Sequence, residues 1–212
     1  MKSAAVVVAA GSGTRFGAQK QFLLVDGETI AARSVAAARA ACDLVILVVP
    51  RGYDGAGEGA DVIVTGGDTR AASVRCGLAK CEDVELVIVH DAARPNATPE
   101  LFRAVLTALN AGADAVIPGL PVADTIKRVR VAQGATVVAE TLAREELVSV
   151  QTPQGFRRAV LEKAHASSAD ATDDAGLVEA SGGVVVVIPG EATNIKITHA
   201  RDLDALATRS QP

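Results

Sequence analysis

Short runs of β-branched and aliphatic residues recur along this chain, separated by alanine-rich stretches, and this alternation limits the fold more than any other feature. Val6-Val7-Val8, Leu44 to Val49, Asp61 to Val64, Glu85 to His90, Ala113 to Ile117, Val148 to Val150 and Val184 to Ile188 read as strands. Most are continuously apolar at their centres rather than alternating, the pattern of strands buried on both faces, as in a parallel sheet covered by helices. Helices are expected over Thr29 to Ala41, Thr69 to Lys80, Pro99 to Ala111, Gly155 to Ser167, Thr172 to Ala180 and Arg201 to Ala207. Thr98 suits an N-cap and Pro99 the first helical position. Strand-helix alternation of this kind predicts an α/β fold. It is a doubly wound, mostly parallel, Rossmann-like sheet in a three-layer sandwich, with right-handed crossovers.

One segment departs from the rhythm. From Asp124 to Thr141 polar and apolar residues alternate, with a turn signal at Gln133-Gly134. This predicts a β-hairpin inserted between sheet strands. A lone hairpin is marginal by itself, so residues 122–143 are expected to form an arm that packs on something else, either its own domain or a second subunit. The rest of residues 1–212 reads as a single domain, with the glycine-rich stretch Arg51 to Ala60 as a mobile loop.

Composition narrows the partners. Aromatic residues make up 2% of the chain, which leaves few rings for stacking unpaired bases, and the core must be built from Ala, Val, Leu and Ile. The net charge is −4 and no basic tract is present, so neither a nucleic acid nor an anionic membrane surface is an expected partner. No run approaches the ~20 apolar residues of a membrane span, and no signal peptide is visible. Cys42, Cys76 and Cys81 have no metal-type spacing and suit reduced thiols in a cytoplasmic protein.

The chemistry-bearing motifs lie where predicted strands end, the usual place for a ligand crevice in such sheets. Ala9-Ala10-Gly11-Ser12-Gly13-Thr14-Arg15 follows the first strand. Its glycines let backbone N–H groups approach phosphate oxygens. It lacks the third glycine of a dinucleotide fingerprint and the Gly-Lys-Ser/Thr ending of an NTPase loop. Arg15 and Lys20 add two cations, which favours a phosphate over a bare turn. Gly66-Gly67-Asp68-Thr69-Arg70 opens a helix, capped by Asp68 or Thr69. His90-Asp91-Ala92-Ala93-Arg94-Pro95 ends the most apolar strand. An ionised Asp91 there needs a partner, either Arg94 or a Mg²⁺ ion. Lys196 stands between Ile195 and Ile197. If these face the core, it points the other way, into the crevice or along the surface. Thr172-Asp173-Asp174 suits a helix cap.

Taken in order, these pieces resemble the 2-C-methyl-D-erythritol 4-phosphate cytidylyltransferase family. The resemblance adds Lys20-Gln21-Phe22, Arg70 with Ser73, Asp124-Thr125-Ile126-Lys127, Gln151 to Phe156 and Asn194 to Thr198, and it runs over essentially the whole chain. Val8, Ala18-Gln19 and Gly176 depart from the residues usual there. The resemblance implies transfer of the cytidylyl group of CTP to a sugar-alcohol phosphate, with Mg²⁺ on the triphosphate. It implies that Arg15 and Lys20 stabilise charge at the α-phosphate, and that Arg144 and Lys196 position the attacking phosphate. Ala9, Ala10, Gly11, Ser12, Gly13, Thr14, Gly67, Asp68 and Ser73 would bind the nucleotide. Asp91, Arg94, Thr125, Lys127 and Thr172 would bind the second substrate. The arm would cross a homodimer to complete the partner's site. With 212 residues, the family's fused two-enzyme form is not expected. Two rival readings are a ribitol 5-phosphate cytidylyltransferase, against which Ala93 and the double acid Asp173-Asp174 speak, and a module that binds CTP without turnover.

Overall fold

A computed structural model of the chain describes residues 1–11, 13, 16–166 and 171–203. The strands are β1 (Ser3–Val8), β2 (Leu24–Val25), β3 (Glu28–Thr29), β4 (Leu44–Val49), β5 (Val62–Thr65), β6 (Leu86–Asp91), β7 (Ala115–Pro121), β8 (Lys127–Ala132), β9 (Ala135–Thr141), β10 (Val148–Val150), β11 (Gln154–Arg157) and β12 (Val185–Pro189). The α-helices are α1 (Ile30–Arg39), α2 (Arg70–Leu78), α3 (Pro99–Asn110), α4 (Arg158–His165) and α5 (Asp174–Ala180). The main sheet runs β10-β7-β11-β6-β1-β4-β5, with β12 beside β7. Strands β1, β4, β5 and β6 pair in parallel, while β10 and β11 are antiparallel to their neighbours.

The two faces of β1 explain the layers. Ala5 and Val7 face a cluster with Val35 of α1 and Phe102 and Val105 of α3. Ala4 and Val6 face a second cluster with Val74 of α2, Leu161 of α4 and Val178 of α5. A strand covered on both sides has no polar face to offer, so the apolar runs are the direct imprint of this sandwich. Side chains of Thr29, Thr69, Thr98 and Asp173 cap α1, α2, α3 and α5, each accepting from a backbone N–H of the first turn. Thr69 rather than Asp68 therefore caps α2, and Asp173 rather than Thr172 caps α5.

The helix expected from Gly155 onward is corrected. Gln154–Arg157 is a strand between β6 and β7, and the helix begins only at Arg158. The gap between two buried strands needs backbone partners, and Gly155 fits because α3 crosses it closely. A Cβ there would lie 2.3 Å from Val105 Cγ1. The strand expected over Val184 to Ile188 is present but is not buried on both faces: β12 pairs with β7, and Val186 and Val187 are exposed. Nor is the stretch Arg51 to Ala60 a loose loop. Tyr53 packs on the core, Glu58 is buried, and Ala56–Glu58 forms a 3₁₀ turn. The helix expected from Arg201 to Ala207 is described only as far as a 3₁₀ turn, Ala200–Leu203.

A hairpin is present where one was expected. β8 and β9 form a separate two-stranded sheet, joined at Gln133 (φ 51°) and Gly134 (φ 77°). Positive φ at both turn residues is the geometry of a type I′ turn. Val129, Val131 and Val138 stand exposed on it.

Candidate active site

The carboxyl ends of β1, β5 and β6 surround a cavity of about 380 Å³. The chain leaving β1 forms its floor. Gln21 is buried beneath, and its side-chain amide donates to the carbonyls of Ala9 (2.6 Å) and Gly11 (3.0 Å). Gly13 has φ +67°, and a Cβ on it would lie 1.8 Å from the Ala18 carbonyl oxygen, so no side chain fits this turn. Ala9, Ala10, Gly11, Gly13 and Lys20 all line the cavity. Lys20 Nζ stands 6.0 Å from the centre of the Phe16 ring. Ser12, Thr14 and Arg15 lie outside the described residues. From β5, Gly67 and Asp68 form a second wall with Ser73, whose hydroxyl donates to Thr69 O at 3.0 Å and to Gly67 O at 3.3 Å.

Asp91 closes the third side. Its Oδ1 takes Arg70 Nε at 3.1 Å and its Oδ2 takes Lys196 Nζ at 2.6 Å. Burial opposes the charge of Asp91, but Arg70 and then Lys196 outweigh burial and hold the carboxyl well below the usual carboxylate range. Arg94 is therefore not its ion-pair partner. A turn places the Arg94 backbone N–H 3.0 Å from Asp91 O and sends the guanidinium to the carbonyls of Asn194 and Val150. The other partner expected for Asp91 is Mg²⁺. Both of its oxygens are engaged by cations, and among the described residues no three His, Cys, Asp or Glu side chains converge to hold a metal. Of the two directions left open for Lys196, the structure shows the crevice, with Ile197 fully buried behind it.

Arg70 is the residue that sequence reasoning left without a role. Its Nη1 lies 2.7 Å from Asp174 Oδ2, and Asp174 Oδ1 lies 3.0 Å from His165 Nε2. Asp174 is 1% exposed. Burial works against the Arg70 charge, but the Asp91 and Asp174 carboxylates outweigh it and raise the guanidinium further. One signal was available. Arg70 opens α2, where the helix dipole disfavours a cation, so an arginine there calls for carboxylate partners.

Behind Asp91, His90 is neutral. The Asp91 N–H donates to Thr152 Oγ1 at 3.0 Å, and that hydroxyl lies 3.1 Å from His90 Nδ1. His90 Nε2 faces the Arg94 carbonyl at 3.2 Å, so the ε nitrogen carries the proton. Burial pulls this histidine down to about 4.

Arg70, Asp91 and Lys196 also line a second cavity of about 230 Å³, with Arg94, Thr152, Gln154 and Thr172. The cationic wall is thus shared by two adjoining spaces. Three expected site residues are not brought to it by their own chain. Thr125 and Lys127 stand exposed at the foot of the hairpin, with Lys127 Nζ on Thr141 Oγ1 at 2.6 Å. Arg144 donates to Ala123 O at 2.6 Å and lines a separate hollow with Pro121 and Leu147.

A model of the family described as IspD: 2-C-methyl-D-erythritol 4-phosphate cytidylyltransferase matches residues 3–208. The chain belongs to this family. The 2-C-methyl-D-erythritol 4-phosphate cytidylyltransferase of Rhodococcus opacus (strain B4) is 45% identical over 208 residues, covering 94% of this chain and 91% of that protein. The bifunctional enzyme IspD/IspF of Clavibacter michiganensis subsp. michiganensis is 46% identical over 93% of this chain, which covers 52% of it. The chain thus spans about half the length of the bifunctional relatives it matches. The crystal structure of the family's enzyme from Thermus thermophilus superposes with a TM-score of 0.82 at 37% identity, covering 98% of each chain. No helix among the described residues is long and apolar enough to cross a membrane.

Proposed function

We propose that this chain transfers the cytidylyl group of CTP to 2-C-methyl-D-erythritol 4-phosphate. The products are 4-diphosphocytidyl-2-C-methyl-D-erythritol and pyrophosphate, in isoprenoid precursor synthesis. The observation that carries this reading is the wall of Lys196, Asp91 and Arg70, common to a glycine-floored cavity and a smaller neighbouring one. Two anionic substrates need two adjoining spaces with fixed positive charge between them.

In this reading a phosphate oxygen of the sugar-alcohol phosphate attacks the α-phosphorus of CTP, and the bond from that phosphorus to the β-phosphate oxygen breaks. The nucleophile is already an anion, so no general base is required. The obstacle is bringing anions together, and orientation with charge stabilisation removes it. Lys20 and Arg15 stabilise the charge gathering at the α-phosphate. Ala9, Ala10, Gly11, Ser12, Gly13, Thr14, Gly67, Asp68 and Ser73 hold the nucleotide. Lys196 positions the attacking phosphate, and Asp91, Arg94 and Thr172 bind the remainder of that substrate. Mg²⁺, carried by the triphosphate rather than by a protein cage, supplies charge neutralisation when bound.

Thr125, Lys127 and Arg144 join this scheme through a second copy of the chain. Their distance from the cavity in their own chain and the exposed valines of the hairpin support a homodimer in which arms are exchanged. We place the enzyme in the cytoplasm, with neither nucleic acid nor membrane as a partner. The substrate assignment is tested by offering 2-C-methyl-D-erythritol 4-phosphate and ribitol 5-phosphate together with limiting CTP. Dominant formation of the methylerythritol product is expected, and preference for ribitol 5-phosphate would overturn it.

A further inference from the structure

Lys20, Gln21 and Phe22 form one short 3₁₀ turn whose side chains do different things. Lys20 lines the glycine-floored cavity, and Gln21 ties down the carbonyls of Ala9 and Gly11. Phe22 stacks on Tyr53, with ring centroids 3.7 Å apart and planes at 17°. The Tyr53 hydroxyl donates to Glu58 Oε1 at 2.5 Å, and the other Glu58 oxygen accepts from Thr29, the N-cap of α1. Glu58 is 4% exposed and sits on a 3₁₀ turn framed by Gly55 (φ 69°) and Gly59 (φ 77°).

A turn of three residues has little stability of its own, and a lysine side chain has a long flexible stem. Where Lys20 stands therefore depends on what holds Gln21 and Phe22. Gln21 is held by the glycine loop itself. Phe22 is held by the stretch Arg51 to Ala60, which lies outside both cavities. We propose that Phe22, Tyr53 and Glu58 form a brace that positions Lys20 for cytidylyl transfer. Tyr53 and Glu58 are thus positioning residues for a reaction they do not touch. The inference rests on the reading of Lys20 as the residue that stabilises charge at the α-phosphate.

The test is steady-state kinetics of pyrophosphate release for Tyr53→Leu, Tyr53→Phe, Glu58→Gln, Lys20→Ala and the Tyr53→Leu/Lys20→Ala pair, each below its melting temperature. Misplacement of a reacting group by about 1 Å costs up to ~10²-fold. Tyr53→Leu should lower kcat about tenfold, with KM for both substrates changed less than twofold. Tyr53→Phe keeps the ring on Phe22 and should recover most of that loss, and Glu58→Gln should show a smaller loss confined to kcat. In the Lys20→Ala background, Tyr53→Leu should cost nothing further. Unchanged kcat in Tyr53→Leu, or the same loss with Lys20 already removed, would overturn the brace while leaving the role of Lys20 intact. Near-normal turnover by Lys20→Ala itself would overturn that role and the brace with it.

Discussion

Lys196 Nζ lies 2.6 Å from Asp91 Oδ2, although the two residues are 105 positions apart in the chain. The contact joins the end of β6 to the segment after β12 and sets a cation against the wall of both cavities. Removing the acid has opposite effects on binding and on turnover. Asp91→Asn leaves the cavity more positive by one charge, which does not weaken CTP, but it releases Lys196 and Arg70 from their fixed directions. The expected result is a loss of at least about tenfold in kcat with KM for CTP unchanged or lower.

Asp174 acts one step further out. It is buried, and it holds Arg70 on one oxygen and His165 on the other. Breaking a buried ion pair by neutralising one partner costs ~3 kcal/mol or more. Asp174→Asn should lower unfolding free energy by about that much in urea titrations. Its kcat/KM should fall further than stability alone explains, because Arg70 lines both cavities of the proposed site.

Local chemistry makes much of this fold legible in the sequence. The apolar strand runs, the cap at Thr98-Pro99 and the turn at Gln133-Gly134 all follow from it, while the direction of Lys196 is left open between crevice and surface. What was missed depends on distant partners. The Arg70–Asp174 pair spans 104 positions, and nothing near Arg70 names its partner. Arg94 was a natural partner for Asp91 by proximity in sequence, but a turn carries it to backbone carbonyls instead. Gln154–Arg157 has no β-branched residue and is a strand only because β6 and β7 flank it. Tyr53 and Glu58 were hidden by the glycines around them.

Acid sensitivity separates two groups. Burial holds His90 neutral, with its titration moved down to about 4. An unfolded histidine titrates near ~6.5, so from there down to about 4 the unfolded chain binds the extra proton and stability falls. The expected loss across that window is about 3 kcal/mol. Asp91 behaves otherwise: with its carboxyl held low, its contribution is present above ~3.9 and is lost only as pH falls below that value. Urea unfolding between pH 7 and pH 4 should show the slope in the wild type and little of it in His90→Gln.

Gly66 offers a steric test of the proposed nucleotide wall. A Cβ there would lie 2.4 Å from Ala10 Cβ and 2.7 Å from Ser73 Oγ. Gly66→Ala must push these two apart, at a cost of ~1–3 kcal/mol in stability. Equilibrium dialysis should show CTP binding weakened at least about tenfold, the equivalent of ~1.4 kcal/mol. Gly57→Ala, in open space, should leave CTP binding unchanged.

The central claim is that this chain joins CTP to a sugar-alcohol phosphate in the cavity lined by Lys20 together with Lys196, Asp91 and Arg70. It is tested most directly by measuring pyrophosphate release from the purified chain with CTP and Mg²⁺, with and without 2-C-methyl-D-erythritol 4-phosphate, for the wild type and Lys20→Ala. Release that requires the sugar phosphate, and that falls ~10²-fold or more in Lys20→Ala, is the predicted result. No release from the wild type with any candidate sugar phosphate, or release by Lys20→Ala at the wild-type rate, would contradict it.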